Sequence, residues 1–98
     1  ICSIASLAAY ENGGAYSISK FALLGFSKNL RLELKDQGIK VTAVCPGAVY
    51  TNSWSGSGVD PKRIMEASDI AKMIYAASQL SPQAVVEDIV MRPQLGDL

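Results

Sequence analysis

Tyr16 and Lys20 stand four residues apart in the segment Tyr16-Ser17-Ile18-Ser19-Lys20. On an α-helix that spacing puts both side chains on one face, about one turn apart. A free phenol, with a pKa near 10, is a poor acid or base at neutral pH. A neighbouring ammonium favours the phenolate and lowers that value. A lowering of about three units corresponds to roughly 4 kcal/mol. Such a pair on its own is more often ordinary helix surface, so its neighbours decide what it means. Ser3 lies thirteen residues before Tyr16, and Pro46-Gly47-Ala48-Val49-Tyr50-Thr51 lies downstream.

The elements that must position these residues alternate. Ile1 to Ile4 is apolar and looks like the tail of a buried strand, and Asn12-Gly13-Gly14 has turn composition. A proline-free helix is expected from Ala15 to Gln37, with Ala22, Phe26, Leu30 and Leu34 as an apolar stripe and Phe21 and Leu24 widening it. A helix apolar over so much of its circumference is buried on two sides. One side would meet a sheet and the other a partner subunit, and Leu24→Glu would disrupt that assembly. Gly38 is placed to end the helix. Ile39 to Cys45 is β-branched and strand-like, and Pro46-Gly47 stops it.

Tyr50 to Ala67 is rich in glycine and serine and is expected to form a mobile loop with one short helical turn. Asp60, Lys62 and Arg63 are the charges of that solvated loop. Ser68 would cap a second helix running to Gln79, with Asp69 in its first turn and Ile70, Met73, Ile74 and Ala77 inward. Ser81-Pro82 breaks it, and Glu87 to Met91 forms the last strand. Strand, helix, strand, helix, strand in that order favours an α/β fold with a parallel sheet and right-handed crossovers. Ligands then sit beyond the carboxyl ends of the strands. Ser3 to Gly14, Cys45 to Thr51 and the residues after Met91 share that rim.

A serine at a strand end, YxxxK thirteen residues on, and a PGxVxT turn together resemble the motif set of the short-chain dehydrogenases/reductases. Tyr16 to Phe26 (YSISKFALLGF) resembles that family's active-site helix, and Leu32 to Val41 its helix-to-strand passage. The resemblance implies the C-terminal part of a Rossmann-type doubly wound parallel sheet, with residues 1–98 as one portion of a single NAD(P)-binding domain. It implies hydride transfer between NAD or NADP and a carbonyl/alcohol pair. Tyr16 would be the acid/base, Lys20 would lower its pKa and hold the nicotinamide ribose, and Ser3 would donate to the substrate oxygen. Pro46, Gly47 and Val49 would line the nicotinamide, and Thr51 would bond its carboxamide or the pyrophosphate. The family's glycine-rich turn, its Asn-Asn-Ala-Gly stretch and its catalytic asparagine would lie upstream, so the fragment alone is expected to be inactive. The family also implies a homodimer or homotetramer through the 15–37 helix.

Ser6 rivals Ser3, but it lies ten residues before Tyr16 where the family has about thirteen. Its other reading is a loop hydroxyl bonded to nearby backbone. Ser17 and Ser19 are expected to pack or cap. Tyr10 and Trp54, on rim loops, could touch substrate or simply pack, and Cys45 is expected to fill space. The family often ends in a Val-Asp-Gly-Gly-like segment, which is replaced here by Glu-Asp-Ile-Val-Met-Arg-Pro-Gln-Leu-Gly-Asp-Leu. The short loop from Thr51 to Ser68 suggests a small or open site.

Composition narrows the other classes. The 98 residues are 49% hydrophobic and 18% charged, as in one small globular domain. Nine basic residues balance nine acidic ones without runs, which gives no nucleic-acid or anionic-membrane footprint. Cys2 and Cys45 are not in a CxxC, and no histidine occurs, which removes the usual zinc sites and every histidine-based triad. The cysteines are expected to be buried free thiols, in keeping with a cytoplasmic protein. No apolar run reaches the ~18 residues of a membrane span. The rival function is a non-catalytic NAD(P)-binding sensor or an oligomerisation module; a sensor would have lost the tyrosine, lysine or serine, and all three are present.

Overall fold

A computed structural model of the protein describes residues 1–98. Helix α1 spans Gly14–Leu34 and tightens into a 3-10 turn at Lys35–Gln37, so the α-helix ends earlier than Gln37. It starts where the turn composition predicts, with Asn12 in the left-handed region at φ 61°. Gly38, at φ 75°, closes the C-terminus in the left-handed conformation that favours glycine.

The inner face of α1 differs from the expected stripe. Ser17 is buried, Leu23 and Leu24 pack against a small core of Cys2, Ala43 and Cys45, and Leu30 and Leu34 are half-buried. Ala22 and Phe26 face outward. A step of four residues repeated three times drifts by about 120° around a helix of 3.6 residues per turn. The stripe from Ala22 to Leu34 therefore begins on the outer side and ends on the inner one. Leu24 belongs to the core side, so Leu24→Glu would damage packing rather than probe a subunit seam.

Strand β1 is Ala43–Pro46, shorter than the expected Ile39 to Cys45. Ala43 pairs in parallel with Asp88, the first residue of the last strand, which sets where the ladder starts. Residues 39–42 run alongside without a ladder, held by Lys40 Nζ donating to the Ser81 carbonyl (2.6 Å) and Thr42 Oγ1 donating to the Val86 carbonyl (2.7 Å). The first segment is not a strand either. Cys2 N–H donates to the Val44 carbonyl at 2.7 Å, a single bond beside β1, and the chain then turns into a 3-10 helix at Ile4–Ser6.

After β1, β2 (Val49–Tyr50) and β3 (Met65–Glu66) form a short parallel pair, Val49 opposite Met65 and Tyr50 opposite Glu66. This clasp joins the two ends of the expected loop, taking in Val49 just before it, and leaves two 3-10 turns, Asn52–Trp54 and Pro61–Arg63, between them.

Helix α2 spans Ala67–Ser78 and is capped by Glu66, not Ser68. Glu66 N–H donates to Asp69 Oδ2 at 3.0 Å while the Glu66 carboxylate accepts the Asp69 N–H. Two carboxylates at a helix start also suit the macrodipole, and Ser68 is left to donate to Glu66 Oε2. Ile70 and Ala77 are half-buried, but Met73 and Ile74 are more open than expected. Strand β4, Asp88–Met91, pairs in parallel with β1. The architecture is α/β with parallel pairing and helical crossovers. No helix is long and apolar enough to cross a membrane.

Candidate functional site

The carboxyl ends of the strands meet at Gly47. Pro46 lies opposite Met91, and Gly47 N–H donates to the Met91 carbonyl at 2.7 Å. A Cβ on Gly47 would lie 3.4 Å from Pro93 Cδ and 3.5 Å from both Ile4 Cδ1 and the Met91 carbonyl oxygen. The turn after Ser3, the connection after β1 and the tail after β4 are thereby brought to one rim, as the strand-end rule requires.

Tyr16 is in the first turn of α1 with its side chain about half exposed, and Lys20 follows one turn later. The Lys20 ammonium lies 5.6 Å from the centre of the Tyr16 ring, within cation–π range. No carboxylate pairs with Lys20. Its flanking serines do the packing and capping expected of them: Ser17 is buried, and Ser19 Oγ donates to the Tyr16 carbonyl at 2.7 Å. Gly13, just before the helix, is buried, and a Cβ there would lie 2.9 Å from Ser17 Cβ and 3.0 Å from the Tyr10 carbonyl oxygen.

Ser3 and Ser6 are both buried and form a reciprocal cap. Ser3 Oγ accepts from Ala5 N–H (3.1 Å), and Ser6 Oγ accepts from Ser3 N–H (3.2 Å). The Ser3 hydroxyl thus has an oriented oxygen, and its hydrogen is free to find an acceptor. Ser6 is a side chain bonded to nearby backbone. Val49 is half-buried and fixed by its pairing with Met65. Thr51 is exposed beyond β2, sharing a hydrogen bond with Ser53 Oγ at 2.9 Å.

Cys45 is fully buried beside Cys2. Burial pushes its thiol above the ordinary value of 9.0, with the Cys2 thiol and the Asp88 charge adding to the rise. A thiol held protonated in the core fills space. Tyr10 is half exposed, with Cε1 3.3 Å from where a Gly13 Cβ would stand, and Trp54 is half-buried in the loop between β2 and β3. An ammonium without a carboxylate partner, an exposed threonine hydroxyl and the backbone after Pro46 offer donors and acceptors to a polar ligand. Pro93 also borders this rim, 3.4 Å from where a Gly47 Cβ would stand, and no sequence pattern points to it.

The short chain dehydrogenase family model matches residues 1–61. A sepiapterin reductase of Chlorobaculum tepidum is 33% identical over 99 aligned residues, covering 100% of this chain and 41% of that protein. Among solved structures, a beta-ketoacyl-[ACP] reductase from Bacteroides thetaiotaomicron superposes with TM-score 0.74 at 35% identity, covering 85% of this chain and 37% of its own. ElxO, solved with NADP bound, superposes with TM-score 0.75 at 25% identity over 91% of this chain and 42% of its own. The chain thus spans about two-fifths of the length of these relatives.

Proposed function

Because the chain belongs to the short-chain dehydrogenase family, we propose that it is the C-terminal portion of a single NAD(P)-binding domain whose whole protein interconverts a small carbonyl compound and its alcohol. The observation that carries this reading is the Tyr16–Lys20 pair, with an unpaired ammonium 5.6 Å from the ring of a half-exposed phenol. The nicotinamide, when bound, supplies or takes the hydride. Tyr16 Oη gives its proton to the carbonyl oxygen in reduction and takes it back in oxidation. The Lys20 ammonium stands beside the Tyr16 ring as the proton leaves and donates to ribose hydroxyls. The Ser3 hydroxyl, its oxygen anchored by Ala5 N–H, donates to the same substrate oxygen as negative charge grows there. Pro46, Gly47 and Val49 line the nicotinamide face, and Thr51 bonds its carboxamide or the pyrophosphate. The NADP of ElxO supports a nicotinamide dinucleotide as the cofactor class.

The test uses the full-length protein with NADPH, then NADH, and a panel of small ketones and aldehydes, followed at the reduced-nicotinamide absorbance band. Tyr16→Phe should lower turnover by about 10²- to 10⁴-fold while leaving cofactor binding in place. Turnover undiminished in that variant removes Tyr16 from the chemistry.

A second role has its own observation. Ile18, Phe21, Phe26 and Leu32 are exposed on α1 away from the core, Ile18 by 72% and Phe26 by 60%. We propose that this face joins copies of the protein in a dimer or tetramer. Phe26→Glu should shift the full-length protein to a smaller species in size-exclusion chromatography, and an unchanged elution volume excludes Phe26 from the seam.

A further inference from the structure

The loop between β2 and β3 and the tail after β4 are distant in sequence, yet one side chain ties them together. Arg63 Nη1 donates to the Gly96 carbonyl at 3.0 Å and Nη2 reaches the Asp97 carbonyl at 3.5 Å. Both partners are held in place. On the loop side, Asp60 Oδ1 accepts from Lys62 N–H at 2.9 Å, Pro61 opens the turn, and Arg63 N–H donates to the Asp60 carbonyl at 2.9 Å. On the tail side, Gly96 N–H donates to the Pro93 carbonyl at 2.9 Å, and Gly96 adopts φ 93°, a conformation that favours glycine. Arg92 Nη1 meets Asp97 Oδ2 at 2.7 Å and closes the tail on itself. Pro93 is buried against Gly47 at the rim.

We propose that Arg63 is a positioning residue. Its planar fork clips the C-terminal tail to the loop so that the two move as one wall over the substrate side of the rim. The inference rests on the carbonyl-reductase reading for what the wall encloses. The clip itself rests on the two carbonyl contacts alone. A guanidinium spans two backbone carbonyls with fixed geometry, whereas an ammonium offers one point of attachment on a flexible stem. Loss of the fork should free the tail and weaken substrate capture without disturbing the Tyr16–Lys20 pair, which lies on another element.

The experiment uses the full-length protein, Arg63→Ala and Arg63→Lys, with NADPH and, as carbonyl probe, the monoketone or aldehyde of the panel above that turns over fastest. Hydrogen exchange of the peptide spanning residues 92–98 should quicken about tenfold in Arg63→Ala and less in Arg63→Lys, as expected for a lost charge-assisted bond. The KM for that carbonyl probe should rise about five- to tenfold while kcat and the KM for NADPH hold, the pattern of lost substrate binding rather than lost chemistry. Unchanged exchange in Arg63→Ala overturns the clip. Faster exchange with unchanged KM overturns its role at the site. Absence of turnover in the unsubstituted protein across the whole ketone and aldehyde panel counts against the reading on which the inference rests, and exchange alone then decides the clip. Arg63→Lys keeps the charge and most of the stem, so it tests the fork even if Arg63→Ala folds poorly.

Discussion

The two ends of the sheet handle charge in opposite ways. At the amino end of the β1–β4 pair, Lys28 meets Asp88 (3.4 Å) and Arg31 meets Glu87 (3.2 Å). These four residues border a hollow of about 200 Å³ with Ser27, Leu32, Val41 and Ala43. The Arg31 Nε is close enough to Glu87 to pair electrostatically but is off-line for a hydrogen bond. At the carboxyl end, Lys20 sits over a tyrosine ring with no carboxylate. Charges at the foot neutralise one another, so that hollow has little left to offer a ligand. The charge at the rim is unspent. A recess alone is therefore a poor guide to chemistry here, and unpaired polar groups at the strand ends are a better one.

The comparison can be broken from either side. After Tyr16→Phe, the largest effect expected is from Lys20→Ala, which should lower kcat by about 10²-fold and raise the KM for cofactor. If kcat holds and only the KM moves, Lys20 binds the ribose without supporting the proton transfer. An intermediate effect comes from Cys45. Its folded-state thiol binds its proton more tightly than the unfolded one, so its stabilisation is full below the ordinary value of 9.0 and is lost as pH rises past that value toward the raised one. Thermal melts of the full-length protein should lose more Tm between pH 8 and pH 10 than melts of Cys45→Ala. Parallel losses would mean that other groups set the alkaline limit. The smallest effect belongs to the foot: Arg31→Ala should cost less than about 1 kcal/mol in chemical denaturation, since the pair is partly exposed, and leave kcat/KM within twofold. A large loss of activity there would erase the contrast between the two ends.

What could be read from residue order and what could not divide along sequence distance. The helix carrying Tyr16 and Lys20, its end at Gly38 and the turn at Pro46-Gly47 rest on local propensities, and they appear where expected. Ser6 likewise bonds nearby backbone, as one of its two readings has it, because its partner Ser3 lies only three residues away. The β2–β3 clasp joins residues far apart in a stretch with no strand-like periodicity, so nothing local announced it. The tie from Arg63 to Gly96 spans 33 residues, and an arginine among loop charges looks like any solvated cation until the tail is placed beside it. The α2 cap went to Glu66 because β3 holds that residue extended just before the helix, which Ser68 could not reveal. The α1 stripe leaves the inner face because residues spaced by fours drift around a helix of 3.6 residues per turn, so Ala22 and Leu34 lie on different sides.

Gly13 carries a consequence for where the phenol stands. Its missing side chain lets the first turn of α1 seat against the Tyr10 backbone, and any larger residue would meet Ser17 Cβ at 2.9 Å. That glycine acts as an end stop for the helix, and Tyr16 is only three residues beyond it. A methyl group there would push the helix along or away from its seat, carrying the hydroxyl with it. Displacement of a reacting group by about 1 Å can cost on the order of 10²-fold in rate. The tolerance on the position of the proposed acid/base would then be set by a residue that has no functional group at all.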